Sequence, residues 1–335
     1  MATELRRLLR SRGGRMAWRD WMEAALYDPE RGYYTATVRT VGRGGDFSTS
    51  ATLSDGLGRA VAAWVMKEWG EAGRKLPLIE IGPGDGSLHE TVRRSLGWRG
   101  RWGLRSHLVE RSPGLRREQE TRLGGGLGRV RWHATMEEAL AACGGEALIF
   151  SNELADAFPA TLLQREEGEW REVWLAELES GAIAEVLEPM PEGVESAVLG
   201  GEWPEGQRVE VLTSWREWLR GWVPGWRGGA MLTVDYGGSG REIYGRRPGG
   251  TVRGYWRHER LGAGALYGLT GKCDVTVDVN FDDLERWGEE AGLVTVFRCG
   301  QGEFVRAVVP GDPLSVEGGA GEAFVCLGQR RVRPC

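Results

Sequence analysis

Residues 78–86 combine a short apolar run with three closely spaced glycines, Gly82, Gly84 and Gly86. Glycine lets the backbone turn tightly and approach a ligand without a Cβ in the way. A helix predicted from Ser87 adds unpaired N–H groups and a dipole that favour a carboxylate or a phosphate. The spacing is G-x-G-x-G, whereas the dinucleotide fingerprint is G-x-G-x-x-G. The turn therefore predicts a cofactor site, with a purely structural strand-to-helix turn as the alternative.

Two carboxylates accompany this turn. Glu110 ends a predicted strand about 20 residues after the last glycine, where its carboxylate can accept both hydroxyls of a ribose. Nicotinamide cofactors and S-adenosylmethionine share that requirement. Glu80 favours the second, because a carboxylate is favourable beside a sulfonium and an ammonium but unfavourable beside a pyrophosphate. We therefore expect S-adenosylmethionine as cofactor and S-adenosylhomocysteine as product.

Three polar side chains, Asn152, Glu153 and Asp156, follow a predicted strand at 147–152. Ligands of doubly wound sheets bind outside the carboxyl ends of the strands. A helical turn starting at Asn152 would place Glu153 and Asp156 on one face. Two carboxylates can grip a guanidinium bidentately and orient its nitrogen for in-line attack. In the alternative interpretation, Asn152 and Asp156 cap a helix and Glu153 is solvated.

Two further residues are weaker candidates. Asp235 ends a predicted strand at 230–235, where it lines the site or serves as a buried turn carboxylate. His258 is a possible base, although a lone histidine is more often structural.

Short apolar runs alternate with helix-like stretches from residue 78 onward, which is typical of a parallel sheet. Residues 1–35 are predicted to be helical, and Ser54 is a plausible N-cap for a helix carrying Leu57, Val61 and Trp64 on one face. Residues 160–225 resemble an insertion with a hairpin and a helix at 215–222. Strands are predicted at 78–82, 105–110, 130–134, 147–152, 230–235, 294–299 and 303–309.

The composition limits the classes of function. The net charge of −5, from 43 basic and 48 acidic side chains, argues against a general nucleic-acid binder. Five cysteines without a C-x-x-C pair argue against a disulfide framework and structural zinc, so we expect no metal site and a reducing compartment. No apolar run approaches the about 20 residues that span a bilayer. Most of the 16 tryptophans stand where amphipathic patterns require a large apolar group, which favours core or interface packing over a base-stacking surface.

Motifs along nearly the whole chain resemble the MidA-type methyltransferases, the family of the mitochondrial complex I assembly factor that methylates arginine. The motifs are the glycine turn, Ala-Leu-Tyr-Asp-Pro at 25–29, Gly-Asp-Phe-Ser-Thr-Ser at 45–50, Asn-Glu-Leu-Ala-Asp-Ala-Phe-Pro at 152–159, Val-Asp-Tyr-Gly at 234–237, Thr-Val-Arg-Gly-Tyr at 251–255 and Asp-Val-Thr-Val-Asp-Val-Asn-Phe at 274–281. The glycine turn is common to class I methyltransferases, whereas the motifs that begin at 45, 152 and 274 are far more specific together.

The resemblance implies an α/β fold, a Rossmann-like class I methyltransferase sheet of about seven strands. It also implies an N-terminal helical cap and lid loop over 1–74, a core over 75–159 and 226–335, and an inserted α+β segment over 160–225 that binds substrate or partner. The loop at 45–50 is expected to fold over the cofactor, and its glycine-rich start would independently suit either a mobile lid or a structural turn. The cofactor contacts expected from it are Asp46, Phe47, Thr49 and Ser50.

The implied activity is methylation of an arginine side chain in a protein partner, by resemblance a respiratory complex I subunit. A small-molecule or other-residue methyltransferase stays open, as does a cofactor-bound assembly chaperone, because fold does not fix function. Thr49-Ser50 is followed by Ala51-Thr52 where the family usually has Pro-Glu. The resemblance therefore supports the family's cofactor for this chain more securely than the family's substrate. The Arg-rich start is either a helix face or a transit peptide. We expect a bacterial cytoplasmic location in preference to the mitochondrial matrix, and the sequence does not distinguish a monomer from a homodimer.

Overall fold

The computed structural model describes residues 3–37, 54–124, 130–256 and 259–331. The helices are α1 (Thr3–Ser11), α2 (Trp18–Tyr27), α3 (Gly56–Ala72), α4 (Ser87–Ser95), α5 (Gly97–Arg101), α6 (Pro113–Leu123), α7 (Met136–Cys143), α8 (Thr213–Trp222), α9 (Gly240–Tyr244), α10 (Ala263–Leu266), α11 (Phe281–Glu290) and α12 (Gln301–Arg306). The strands are β1 (Arg15–Ala17), β2 (Leu78–Ile81), β3 (Ser106–Val109), β4 (Val130–His133), β5 (Leu148–Asn152), β6 (Thr161–Glu166), β7 (Glu169–Glu177), β8 (Ile183–Pro189), β9 (Arg208–Val211), β10 (Gly229–Gly238), β11 (Arg253–Trp256), β12 (Glu259–Gly262), β13 (Asp274–Thr276), β14 (Val279–Asn280), β15 (Leu293–Gly300) and β16 (Phe324–Arg331).

The chain divides into two compact units. The large unit comprises residues 39–154, 218–236 and 285–335, and the small unit comprises residues 1–38, 155–217 and 237–284. The small unit thus joins the N-terminal segment to the insertion and to residues 237–284. The predicted cap, core and insertion have different boundaries from these two units, and that division stays a prediction.

The large unit contains the predicted central sheet, in the order β15-β16-β10-β5-β2-β3-β4. The strands from β10 to β4 are parallel, and β16 runs antiparallel to both β10 and β15. Leu78, Ile79, Leu148 and Ile149 are fully buried, as parallel strands covered on both faces require. The predicted class I methyltransferase sheet is confirmed.

Helix α3 covers this sheet with the predicted apolar stripe. Leu57, Val61 and Trp64 belong to one buried core together with Val92 of α4. The helix begins after Asp55, and Ser54 Oγ accepts a hydrogen bond of 3.1 Å from the Gly56 N–H. The apolar face predicted for α3 is therefore the face that packs on the sheet. The N-cap is Asp55, one residue later than expected.

The predicted strand at 303–309 is wrong. Helix α12 ends at Arg306, and the last strand of the sheet is β16, some 20 residues further along the chain. Gln301 and Val305, four residues apart, are fully buried on one face of α12. A short apolar run of this length does not distinguish a strand from a buried helical turn, and tertiary packing decided between them.

The small unit corrects two further expectations. Residues 1–35 are not continuously helical, because Gly13 and Gly14 adopt positive φ and β1 then pairs antiparallel with β7. The insertion holds four strands rather than one hairpin, in a five-stranded sheet of order β1-β7-β6-β9 with β8 beside β7. Its predicted helix is confirmed as α8.

Several tryptophans are core residues, as expected. Trp18, Trp21 and Trp215 are almost completely buried in the small unit, and the Trp21 indole N–H donates to Thr270 Oγ1 over 3.0 Å. A buried indole that finds an acceptor keeps its packing energy without an unpaired polar group. Across the ranges that the structure describes, no helix is both long enough and apolar enough to cross a membrane.

Candidate active site

The glycine turn leads from β2 to α4 at the carboxyl edge of the large-unit sheet. Gly82, Gly84 and Gly86 have φ angles of 61°, 56° and 81°, which favour glycine over other residues. The Gly82 N–H donates to the Val109 carbonyl over 3.0 Å, which ties the turn to the end of β3. A Cβ placed on Gly82 would stand 2.8 Å from Leu154 Cδ1. The turn therefore needs its glycines both for conformation and for the close approach of a neighbouring segment.

Glu110 lies at the end of β3, as predicted, and is half-buried. Its carboxylate accepts hydrogen bonds from the Ser112 N–H over 2.7 Å and from Gln119 Nε2 over 3.2 Å. Burial raises the pKa of Glu110 above its ordinary value of 4.5, and these hydrogen bonds lower it. The carboxylate is thus held at the edge of the sheet in a partly dry environment.

Gln119 of α6 connects the glycine turn to Glu110, and the sequence analysis did not identify it. Its Nε2 donates to the Gly84 carbonyl over 2.7 Å as well as to Glu110, and its Oε1 accepts from the Trp132 indole over 3.0 Å. Gln119 is fully buried. Its position midway between Leu115 and Leu123, four residues from each, was the available signal, because this spacing places Gln119 on the apolar face of α6, where a buried amide needs hydrogen-bond partners.

Glu80 lies within β2 and is 2% exposed. Its Oε2 is 2.9 Å from Nδ1 of His89, a fully buried residue of α4. Burial raises the pKa of Glu80, whereas the contact with His89 lowers it. The carboxylate therefore links β2 to α4 directly behind the turn. His89 was also missed, although it shares the buried face of α4 with Val92 at helical spacing.

The segment after β5 lies against the glycine turn. Strands β2 and β5 are parallel neighbours with Ile81 opposite Ser151, so both end at the same edge. Asn152 Nδ2 donates to Glu153 Oε1 over 3.1 Å, and the Glu153 N–H donates to the Val234 carbonyl over 2.9 Å. Glu153 has a φ of 52°, a strained conformation for a residue other than glycine.

Asp235 holds this strained segment in place. Its carboxyl is completely buried and accepts hydrogen bonds from the N–H groups of Leu154, over 3.0 Å, and Tyr236, over 2.8 Å. Because both bonds fix backbone, the structure supports the turn-carboxylate interpretation of Asp235. A strained backbone conformation of this kind is kept only where surrounding contacts hold it in place, and it is frequent at functional sites.

No helical turn starts at Asn152, so the condition for placing Glu153 and Asp156 on one face is not met. Asn152 still belongs to β5, Glu153 is left-handed, and only a short 3-10 turn follows at Ala155–Ala157. Asp156 belongs to the small unit, where its carbonyl accepts a hydrogen bond of 3.0 Å from the Val277 N–H. Helical spacing therefore does not place Glu153 and Asp156 on a common face. Strand β5 extends to Asn152, and the site roles of Glu153 and Asp156 stay predictions.

Several predicted residues lie outside the described part of the chain. They are Asp46, Phe47, Thr49 and Ser50, together with Ala51, Thr52 and His258.

Comparison with known proteins decides the family. Residues 60–298 match the family model described as a putative S-adenosyl-L-methionine-dependent methyltransferase. The chain belongs to this methyltransferase family. A relative from Danio rerio, named protein arginine methyltransferase NDUFAF7, mitochondrial, is 30% identical over 80% of this chain and 67% of its own length. The Drosophila melanogaster homolog of that name is 28% identical over 86% of this chain and 70% of its own.

A solved methyltransferase agrees in structure. A likely methyl transferase from Burkholderia thailandensis, bound to S-adenosyl-homocysteine, is 27% identical to this chain with a TM-score of 0.85, over 98% of this chain and 91% of its own. The chain is therefore an S-adenosylmethionine-dependent methyltransferase, and the predicted cofactor is confirmed. The expected cytoplasmic location is wrong, because the curated relatives in this comparison are named as mitochondrial proteins.

The residues at the sheet edge fit this cofactor. The turn at Gly82–Gly86 leaves room for close approach to its backbone, and the half-buried Glu110 carboxylate could accept ribose hydroxyls. When bound, the cofactor supplies an electrophilic methyl group for in-line displacement. The assignment of individual cofactor contacts stays a prediction.

Proposed function

We propose that this methyltransferase modifies an arginine side chain of a protein partner. The observation that supports the proposal is the close approach of Leu154 to Gly82, since Glu153 then follows β5 at the same end of the sheet as the glycine turn. Relatives that bear the name protein arginine methyltransferase support the same substrate class.

In this proposal Glu153 orients the substrate. A guanidinium is positively charged and almost never deprotonated in solution, so an attacking nitrogen has to be held in position by acceptors. A carboxylate can grip it with charge-assisted hydrogen bonds. Asn152, which donates to Glu153 Oε1, positions that carboxylate. Glu110 is proposed as the ribose acceptor, whereas a role for Asp156, which belongs to the small unit, stays a prediction from the sequence. Glu80, Gly82, Gly84 and Gly86 are proposed as the rest of the described cofactor site.

The test uses the purified protein, cofactor with a radiolabelled methyl group and an extract of the source organism. We expect label in the protein fraction, recovered as methylarginine after hydrolysis and identified by mass spectrometry. Glu153→Gln should lower the labelling rate about 100-fold, the loss expected when the reacting nitrogen is no longer held in position. Glu167→Gln is the matched control, because Glu167 is also a positive-φ glutamate but lies in the turn between β6 and β7.

The other outcomes separate the alternatives. Label in the small-molecule filtrate, or on a different amino acid, would replace the arginine proposal with another methyltransferase activity. Cofactor binding without any labelled product would favour an assembly chaperone. Equal labelling by the wild type and Glu153→Gln would remove Glu153 from the catalytic assignment. A respiratory complex I subunit as the labelled protein stays a prediction from the resemblance.

A further inference from the structure

The most exposed large apolar side chains in the described ranges lie four residues apart in the chain, in the short helix α5 and directly after it. Trp98 is 71% exposed and Trp102 is 82% exposed, whereas the tryptophans of the small-unit core are buried. Both belong to residues 97–105 of the large unit, which comprise α5 and the connection to β3 and which we call the Trp–Arg loop. Exposed tryptophans that follow one another at four-residue spacing form a projecting apolar surface, and such surfaces mark interaction sites.

The charge of this segment is one-sided. Residues 91–109 contain no Asp or Glu, in a chain whose net charge is −5. Arg99, Arg101 and Arg105 stand in the Trp–Arg loop itself, and none of the three forms an ion pair with a residue that the structure describes. Physiological salt screens charges beyond about 8 Å, so the local arginines, not the overall negative charge, set the field at this surface.

The Trp–Arg loop is held in one conformation by the core beneath it. Leu96 and Leu104, on either side of the two tryptophans, belong to the large buried core. The Lys75 ammonium donates to the carbonyls of Arg99 over 2.6 Å and of Trp102 over 2.9 Å. A charged donor on the last carbonyls is a recognised way to end a helix. The backbone that carries the two tryptophans is therefore fixed by contacts with the rest of the large unit.

The Trp–Arg loop lies at the sheet edge opposite the glycine turn. It leads into the amino end of β3, where the Arg105 carbonyl accepts a hydrogen bond of 2.9 Å from the Leu78 N–H. Gly82 and Glu110 follow the carboxyl ends of β2 and β3. A surface docked through the loop would thus leave the carboxyl edge of this sheet uncovered.

We propose that the Trp–Arg loop docks the protein on an anionic phospholipid surface. Tryptophan prefers the headgroup level of a bilayer, and arginine is attracted to anionic lipid. Stable attachment needs two such signals together, and both are present here. The Arg99 guanidinium lies 5.1 Å from the centroid of the Trp98 ring and covers one ring face. A stacked nucleobase would compete for the ring faces, so the geometry favours lipid over single-stranded nucleic acid.

The experiment measures sedimentation of the full chain with vesicles of phosphatidylcholine, with or without phosphatidylglycerol as one part in three. We expect binding only to the anionic vesicles. Arg99→Gln/Arg105→Gln should weaken it about 25-fold, since each interfacial arginine contributes a factor of about five. Trp98→Ala/Trp102→Ala should weaken it by about tenfold or more, because the apolar insertion is lost.

Matched controls alter the same unit elsewhere. Arg59→Gln/Arg117→Gln removes the same charge, and Met66→Ala/Val316→Ala removes apolar side chains that are 56% and 53% exposed. Neither control should change vesicle binding. All variants should bind S-adenosylmethionine as the wild type does, which shows that they are folded and separates this result from the proposed methyl transfer.

Two outcomes would overturn the proposal. In one, the wild type fails to sediment with the anionic vesicles, or the loop variants sediment as well as the controls. In the other, fluorescence anisotropy shows that the loop variants lose affinity for a single-stranded oligonucleotide while their vesicle binding is unchanged. That second outcome would assign the loop to nucleic acid.

Discussion

The glycine turn after β2 and the acidic segment after β5 lie at the same edge of one parallel sheet but are built differently. At the turn, glycines supply the unusual φ angles without a steric penalty. After β5, a glutamate adopts a φ of 52° and is held there by the buried Asp235 and by the Val234 carbonyl. Local residue choice shapes the first region, and tertiary contacts impose the second.

The proposed functions of the two regions would explain this difference. Cofactor binding at the turn would need accessible backbone, which glycine provides. The proposed guanidinium recognition needs a side chain at a defined place, so glycine could not serve at position 153 in that role. The second region therefore stores strain that its neighbours have to offset.

Removal of the buried support should have the largest effect. Asp235→Ala leaves the N–H groups of Leu154 and Tyr236 without their acceptor, and each unsatisfied buried group costs about 1–3 kcal/mol. We expect a loss of about 3 kcal/mol in the free energy of unfolding, measured by urea denaturation. Asp312→Ala is the control, because it removes the cap of the Leu314 N–H and one hydrogen bond from the Ser54 hydroxyl, and should cost only about 1–2 kcal/mol. Equal losses in the two variants would mean that the acidic segment needs no special support.

The glycine turn should be sensitive to a single methyl group. Gly82→Ala places a Cβ against Leu154 and should weaken S-adenosylmethionine binding about tenfold, or about 1.4 kcal/mol, by titration calorimetry. Gly73→Ala is the matched control, since Gly73 has a φ of 63° and nothing within 4 Å of an added Cβ. Both variants lose stability through the positive φ, and Gly82→Ala also through the contact with Leu154, but only Gly82→Ala should lose cofactor affinity. Unchanged affinity in Gly82→Ala would separate the turn from cofactor binding.

Relief of strain should separate stability from activity. Glu153→Gly and Glu167→Gly both relax a positive φ, so each should raise the free energy of unfolding by about 1 kcal/mol or less. Only Glu153→Gly should abolish arginine methylation, because the proposed guanidinium acceptor is lost. An active Glu153→Gly protein would contradict the role proposed for this carboxylate.

The smallest expected effect is a pH dependence of cofactor binding. Burial raises the pKa of Glu110 above 4.5, and the ionised carboxylate is the better acceptor for ribose hydroxyls. Affinity for S-adenosylmethionine should fall as the pH is lowered through this raised pKa. The free energy of unfolding should change in the opposite direction. Because the raised pKa means that the folded state binds this proton more tightly than the unfolded state, the contribution of Glu110 to stability should rise over the same fall in pH.

Glu110→Gln provides the control for this pH dependence. It should bind cofactor more weakly at neutral pH and show a flatter pH profile in calorimetry. A wild-type profile in Glu110→Gln would assign the dependence to another group.

Much of the sheet could be predicted because its signals are local. The five parallel strands and the stripe on α3 follow from apolar periodicity, and the positive φ angles of Gly82, Gly84 and Gly86 agree with the residue type. The last strand was misplaced because the apolar run at 303–309 fits a helix equally well. Helical spacing failed at Asn152 because strand pairing extended β5 to that residue.

By itself, the sequence determined the α/β class, the glycine turn, the position of Glu110 and a carboxylate at the end of β5. These features depend on residue type and short-range spacing, which the chain carries in every conformation. Only the tertiary structure decided that His89 contacts Glu80, that Gln119 joins Gly84 to Glu110, and that Asp235 supports Glu153. Such contacts join residues 9 to 81 positions apart, and only the packing of strands and helices brings them within hydrogen-bond distance.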